Sequence, residues 1–199
     1  VRKIENAELS STGISQILVT SDQRILFATE AGLFEYQEND DTFLVYDASN
    51  TGGVFPRNTV KSLFEDDRGD IWIGTWNSGL YRYEKKTGKY WKYPRMNFGN
   101  SAHVVFQDSY KNIWVGTWGA GLHLLHNAYD PERTTWTTFT HNEKQPYTIS
   151  DNLIYAISED VNTHSLWVGT RSGLSILPLQ NGPISFSGFE NCYSGESEN

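Results

Sequence analysis

The sequence predicts an all-β chain made of four four-stranded blades of a β-propeller. Two observations carry that expectation: one short motif returns four times, and its period has the length of a blade. The motif is Ile71-Trp72-Ile73-Gly74-Thr75 followed by Gly79-Leu80-Tyr81. It returns as Ile113-Trp114-Val115-Gly116-Thr117 with Gly121-Leu122-His123, and as Leu166-Trp167-Val168-Gly169-Thr170 with Gly173-Leu174-Ser175. A weaker first copy reads Ile25-Leu26-Phe27-Ala28-Thr29 with Gly32-Leu33-Phe34, so that Leu26 stands for Trp and Ala28 for Gly. The four threonines lie 46, 42 and 53 residues apart, and a period of about 40–50 residues is that of a four-stranded blade.

Each copy divides into four strand-like runs rich in β-branched and aromatic residues, with no apolar set at helical spacing. The first runs are 16–19, 60–65, 102–107 and 154–158, and the second are the Trp-Ile/Val-Gly-Thr segments. The third are 33–36, 80–83, 122–125 and 174–177, and the fourth 43–46, 90–93, 136–139 and 184–189. Turn formers separate first and second strands, as in Asp66-Asp67-Arg68-Gly69-Asp70, which reads as a solvated turn. The turn between second and third strands ends in Gly, as a position with φ > 0 requires. Blades are expected over 12–189, divided as 12–57, 58–99, 100–151 and 152–189. Residues 1–11 then end a preceding blade or form a linker, and 190–199 form a polar tail or the start of the next inter-blade loop. Blades stack face to face, so middle strands bury both faces and read as near-continuous apolar runs. Trp72, Trp114 and Trp167 are accordingly expected in the core. The Gly two residues on lets neighbouring chain approach closely.

With 38% hydrophobic and 20% charged residues the chain is no disordered polymer, and seven Trp suit a sheet-on-sheet core. A net charge of −8 argues against nucleic acid and against an anionic membrane surface as partners. Cys192 is the single cysteine, so no internal disulfide forms. No apolar run approaches the roughly 20 residues that span a bilayer, so any membrane link runs through parts of the protein outside this chain. The chain begins at Val1 without Met or signal peptide, and reads as a mature or excised piece of something longer.

The segment Glu65 to Tyr93, EDDRGDIWIGTWNSGLYRYEKKTGKYWKY, resembles the two-component regulator propeller repeat. QDSYKNIWVGTWGAGLHLL and SEDVNTHSLWVGTRSGLSIL look like the same repeat, and the resemblance covers about residues 12 to 189. It implies a fragment of a larger ring, about seven blades in that family. It also implies the periplasmic sensor region of a hybrid two-component system, of the kind found in Bacteroidetes. There an immunoglobulin-like domain, a transmembrane helix and a histidine kinase follow the sensor, and oligosaccharides are the usual signals.

Ligand binding is the chemistry the residues favour. The turns after the second strands read Thr75-Trp76-Asn77-Ser78, Thr117-Trp118-Gly119-Ala120 and Thr170-Arg171-Ser172. Trp76 and Trp118 occupy one position in successive copies and are expected as neighbours on one rim. Their rings suit the apolar face of a sugar, with Asn77 and Arg171 as hydrogen-bonding groups; the alternative is that both rings merely cover blade ends. A second candidate set opens the first strands: Asn58, Asn100 and Asn152, then Lys61, His103 and Tyr155. The long inter-blade loops 37–57 and 127–150 add variability without naming a ligand.

Metal, cofactor and catalytic sites are not expected. His123 and His126, three apart on a strand, point to opposite faces. The Asp66 turn lacks the spacing and final Glu of a calcium loop. There is no Gly-x-Ser-x-Gly elbow, and no carboxylate pair stands out from the repeat. The expected function is oligosaccharide sensing by a non-catalytic fragment that self-associates as a homodimer. A protein-interaction scaffold anchored by Trp76 and Trp118 is the alternative, and a propeller lyase or hydrolase the third.

Overall fold

The computed structural model describes residues 6–93, 101–179 and 188–192. Four four-stranded antiparallel sheets follow one another, each with its strands in sequence order. Blade 1 is β1 (Ile14–Val19), β2 (Ile25–Thr29), β3 (Gly32–Gln37) and β4 (Thr42–Tyr46). Blade 2 is β5 (Val60–Glu65), β6 (Ile71–Thr75), β7 (Leu80–Glu84) and β8 (Lys89–Lys92). Blade 3 is β9 (Ala102–Gln107), β10 (Ile113–Thr117), β11 (Leu122–His126) and β12 (Thr135–Phe139). Blade 4 is β13 (Ile154–Asp160), β14 (Ser165–Thr170), β15 (Gly173–Pro178) and β16 (Glu190–Cys192). The architecture is that of β-propeller blades, as the repeat predicts. Among the described residues no helix is long and apolar enough to cross a membrane. The chain divides into two compact units at Ala102/His103; the first holds blades 1 and 2, the second blades 3 and 4.

In the first unit, Leu26, Ala28 and Leu33 of blade 1 pack against Val60, Leu63, Ile71, Ile73 and Tyr81 of blade 2. The Gln16 side chain zips the two first strands together, donating to the Leu63 carbonyl at 2.9 Å and accepting from its N–H at 2.8 Å. Phe55 drops from the connecting loop into the same core, edge-on to Tyr81 with ring centroids 5.0 Å apart. In the second unit Trp114, Leu122 and Leu124 of blade 3 pack on Ile154, Ile157, Leu166 and Val168 of blade 4. Ile149 is the loop residue buried there, three positions before Asn152 as Phe55 is before Asn58. The close approach asked of the glycines is met at Gly116, where a Cβ would lie 2.5 Å from Ile154 Cγ2 and 2.6 Å from Val104 Cγ1.

Four expectations change. The Asp66 turn is not simply solvated: Asp66 and Asp70 are buried. Asp66 Oδ2 accepts the Trp72 indole N–H at 2.8 Å, and Asp108 Oδ2 accepts that of Trp114 at 2.8 Å. A buried indole N–H must find an acceptor, and an Asp six residues earlier supplies it. Where blade 1 has Leu26, the corresponding acid is replaced by the buried Thr20. Second, Trp167 is 37% exposed, unlike Trp72 and Trp114 at 0%. Blade 3 covers the face of β14 that carries Leu166 and Val168, and strand alternation turns Trp167 to the other face. Third, continuous burial holds for β6 and β10, while β2 and β14 are only partly covered. Fourth, the strand that pairs with β15 is Glu190–Cys192, at the start of the segment expected as a polar tail or the start of the next inter-blade loop. Of the 184–189 run, 184–187 lie outside the described residues, and Phe189 is buried just before the strand.

Candidate functional site

The turn that follows each second strand is built the same way four times. The strand-ending threonine donates its hydroxyl to a glycine carbonyl: Thr29 to Gly32, Thr75 to Gly79, Thr117 to Gly121 and Thr170 to Gly173, at 2.7–2.9 Å. The same oxygen accepts a turn N–H, from Ala31, Ser78, Ala120 and Ser172 respectively. All four glycines have positive φ, between +84° and +133°. These bonds set the backbone of the residue directly after the threonine. That position reads Glu30, Trp76, Trp118, Arg171. Glu30, Trp76 and Arg171 donate their N–H groups to Gly13, Thr59 and Leu153 carbonyls, each at 3.0 Å. Trp118 forms a bridge with Leu153.

In the second unit this turn assembles three predicted residues. Trp118 lies 5.2 Å from His103 and 5.7 Å from Tyr155 between ring centroids, with His103 and Tyr155 6.2 Å apart. All three pairs meet edge to face, at 61–73°. Trp118 is 43% and Tyr155 47% exposed. The exposed parts of Trp118 and Tyr155 give the cluster aromatic surface that a ligand can reach. Arg171 is exposed on blade 4, within electrostatic reach of Asp151. Burial works against it, but the Ser172 hydroxyl at 2.6 Å, neighbouring N–H groups and the Arg171 charge hold the Asp151 carboxyl below its ordinary range.

In the first unit, Lys61 Nζ stands 5.4 Å over the Trp76 ring. This indole is half-buried and one face is covered by a cation, so it is a poorer stacking platform than Trp118. Asn77 beside it is exposed. Of the asparagines, Asn58 donates to Ser78 Oγ at 2.5 Å and Asn152 accepts the His141 N–H at 2.7 Å. Asn100 lies outside the described residues. Glu30 was missed at the sequence level although it occupies the position of Trp76 in the weaker first copy; it lines a recess with Thr59, Lys61 and Trp76.

His123 and His126 do fall on opposite faces. His126 is exposed and bonds Thr137 Oγ1 at 2.7 Å. His123 is buried beside Trp136, bonds Thr138 Oγ1 at 3.0 Å, and burial pushes its pKa down to about 4. Among the described residues no three His, Cys, Asp or Glu side chains gather as a metal site.

The fold and these turns define a segment of β-propeller blades. A family model described as two component regulator propeller matches residues 55–77 and 98–119, so these two stretches are similar to that repeat. Histidine kinase P4 of Formosa agariphila is 26% identical over 182 residues, which is 89% of this chain and 13% of that protein. The extracellular domain of a hybrid two component system of B. thetaiotaomicron superposes with a TM-score of 0.69 at 20% identity, over 91% of this chain and 24% of that one. Virginiamycin B lyase of Staphylococcus aureus superposes with a TM-score of 0.66 at 15% identity, over 97% and 59%. The two structural likenesses show a shared fold. The chain thus spans about an eighth of the curated relative and a quarter of the first of these structures.

Proposed function

We propose that this chain is a non-catalytic, ligand-sensing segment of the periplasmic sensor of a hybrid two-component signalling protein, and that it binds an oligosaccharide. The observation that carries the reading is the open cluster of His103, Trp118 and Tyr155. A sugar ring lays its C–H face on Trp118, Tyr155 walls the site, and His103 and Arg171 offer polar contacts to hydroxyls. The signalling assignment is supported by the repeat class and by the histidine kinase and extracellular-domain relatives. Binding biases a kinase only if the ligand prefers one of two sensor arrangements. A homodimer is part of the same reading: β1 presents Ile17 and Val19 at 56% and 58% exposure, an apolar face suited to association. Titrating the intact chain with a panel of oligosaccharides, read by calorimetry, tests the proposal. Saturable binding without turnover, lost in Trp118→Ala, is expected; turnover of a bound glycan, or binding indifferent to Trp118, overturns it.

A further inference from the structure

The first unit carries a second, chemically different recess. It is a shallow, open recess of about 290 Å³ lined by Glu30, Thr59, Lys61 and Trp76, near the low end of small-ligand sites and of a size for one sugar ring. Its walls are fixed by backbone. The Thr59 hydroxyl donates to the Glu30 carbonyl at 3.0 Å, and the Trp76 N–H donates to the Thr59 carbonyl at 3.0 Å. Arg57 Nε donates to the Ala31 carbonyl at 3.0 Å, pinning the same turn from the other side. Two blades thus converge on the short segment that enters β5.

The charges in this recess are arranged for something other than each other. Lys61 and Glu30 both line it, yet they form no ion pair. Lys61 spends its ammonium on the face of Trp76, and no carboxylate among the described residues pairs with it, in a chain with 24 acidic and 16 basic side chains. An ammonium has three N–H donors and gains most from an anionic acceptor. Glu30 is an acceptor-only carboxylate and asks for hydroxyl donors. From this geometry we infer that the recess takes the carboxylate-bearing ring of an acidic saccharide, a uronate. Its carboxylate meets Lys61, its ring hydroxyls donate to Glu30, and its C–H groups pack against the half-buried Trp76 at the edge of the recess. A neutral sugar leaves Lys61 without an anion, a simple carboxylic acid leaves Glu30 without donors, and a polysulfated chain sets surplus negative charge against Glu30. The inference rests on the saccharide reading above but uses a different site, separate from Trp118.

Calorimetry on the intact chain with oligomers of galacturonate and of mannuronate, each beside its methyl ester, tests it. At least one acid should bind about tenfold more tightly than its ester, the size of one charge-assisted hydrogen bond. Lys61→Met keeps the stem over Trp76 and should erase that preference, whereas Lys61→Arg should keep it. Glu30→Ala should weaken the uronate several-fold, and acetate should not compete with it. Equal binding of acid and ester, an acid preference that survives Lys61→Met, displacement by acetate, or no binding of either uronate overturns the inference. A neutral oligosaccharide that binds through Trp118 while both uronates fail would sink the recess alone and leave the saccharide reading standing.

Discussion

Blades 2 and 3 fill the same register with different chemistry. Both bury a Trp whose indole N–H is bonded to an Asp in the preceding turn, Asp66 to Trp72 and Asp108 to Trp114. Beyond that pair they diverge. Opposite Trp72 blade 2 places Arg82, buried and paired with Asp70 at 2.6 Å; opposite Trp114 blade 3 places Leu124, and Asn112 stands where Asp70 does. Blade 2 turns its first hairpin on Gly69, blade 3 on Lys111 with φ +69°. Blade 2 buries Tyr81 where blade 3 buries His123. The lesson is that the Thr–Gly turn is common to all four blades and the Asp–Trp pair is shared by blades 2 and 3, while the remaining positions take other residues.

The largest expected effect comes from breaking the ion pair of blade 2. Arg82→Leu strands Asp70 as a buried charge and should cost about 3–5 kcal/mol in urea unfolding. Importing the full blade 3 solution, Asp70→Asn with Arg82→Leu, should recover most of that loss, since an uncharged pair leaves no buried charge. If the double variant is as unstable as the single, the two blades are not equivalent at this register.

A smaller effect separates the blades by pH. His123 has its folded-state pKa lowered from 6.5 to about 4 because burial disfavours the imidazolium. The unfolded chain therefore takes up the proton first. The His123 contribution is unchanged above pH 6.5, stability falls as the pH drops from there toward 4, and the loss levels off below that, at about 3 kcal/mol. His123→Phe, which copies Phe34 at the equivalent position of blade 1, should flatten the fall in melting temperature between pH 7 and 4.5. An unaltered slope would place the acid sensitivity elsewhere. Glu35 is one such place: burial opposes it, but Arg24 and the Tyr46 hydroxyl hold its carboxyl below the ordinary range, so its contribution is also lost on acidification.

The smallest effect is at the hairpin. Lys111→Gly relieves a left-handed backbone and should raise stability by about 0.5 kcal/mol, or about 1–2 °C in melting temperature. A decrease would mean that the Lys111 side chain contributes more than its backbone costs.

The blades are legible in the sequence because a repeat states its own period, and Gly and Thr mark the turns. The Asp66 and Asp108 acceptors are less legible, because a polar turn residue gives no sign of burial until the Trp six residues later is seen to need a partner. Trp167 looks identical to Trp114 in sequence, yet its exposure depends on what covers that face of the sheet. Trp118 was legible as the counterpart of Trp76, and His103 and Tyr155 as counterparts of Lys61, but as two separate sets whose meeting in the second unit the spacing does not convey. Glu30 was hidden by the weaker first copy, and the covering of Trp76 by Lys61 depends on side-chain conformation that spacing alone does not convey.

Two tryptophans four residues apart are proposed to divide the labour: Trp114, buried and bonded to Asp108, folds the blade, and Trp118 is the proposed ligand contact. Thermal melts and oligosaccharide titrations of Trp114→Ala and Trp118→Ala test it together. The account predicts that Trp114→Ala loses about 3–5 kcal/mol of stability, while Trp118→Ala melts like the parent chain and no longer binds. A Trp118→Ala protein that unfolds, or one that binds every saccharide as the parent does, would contradict it.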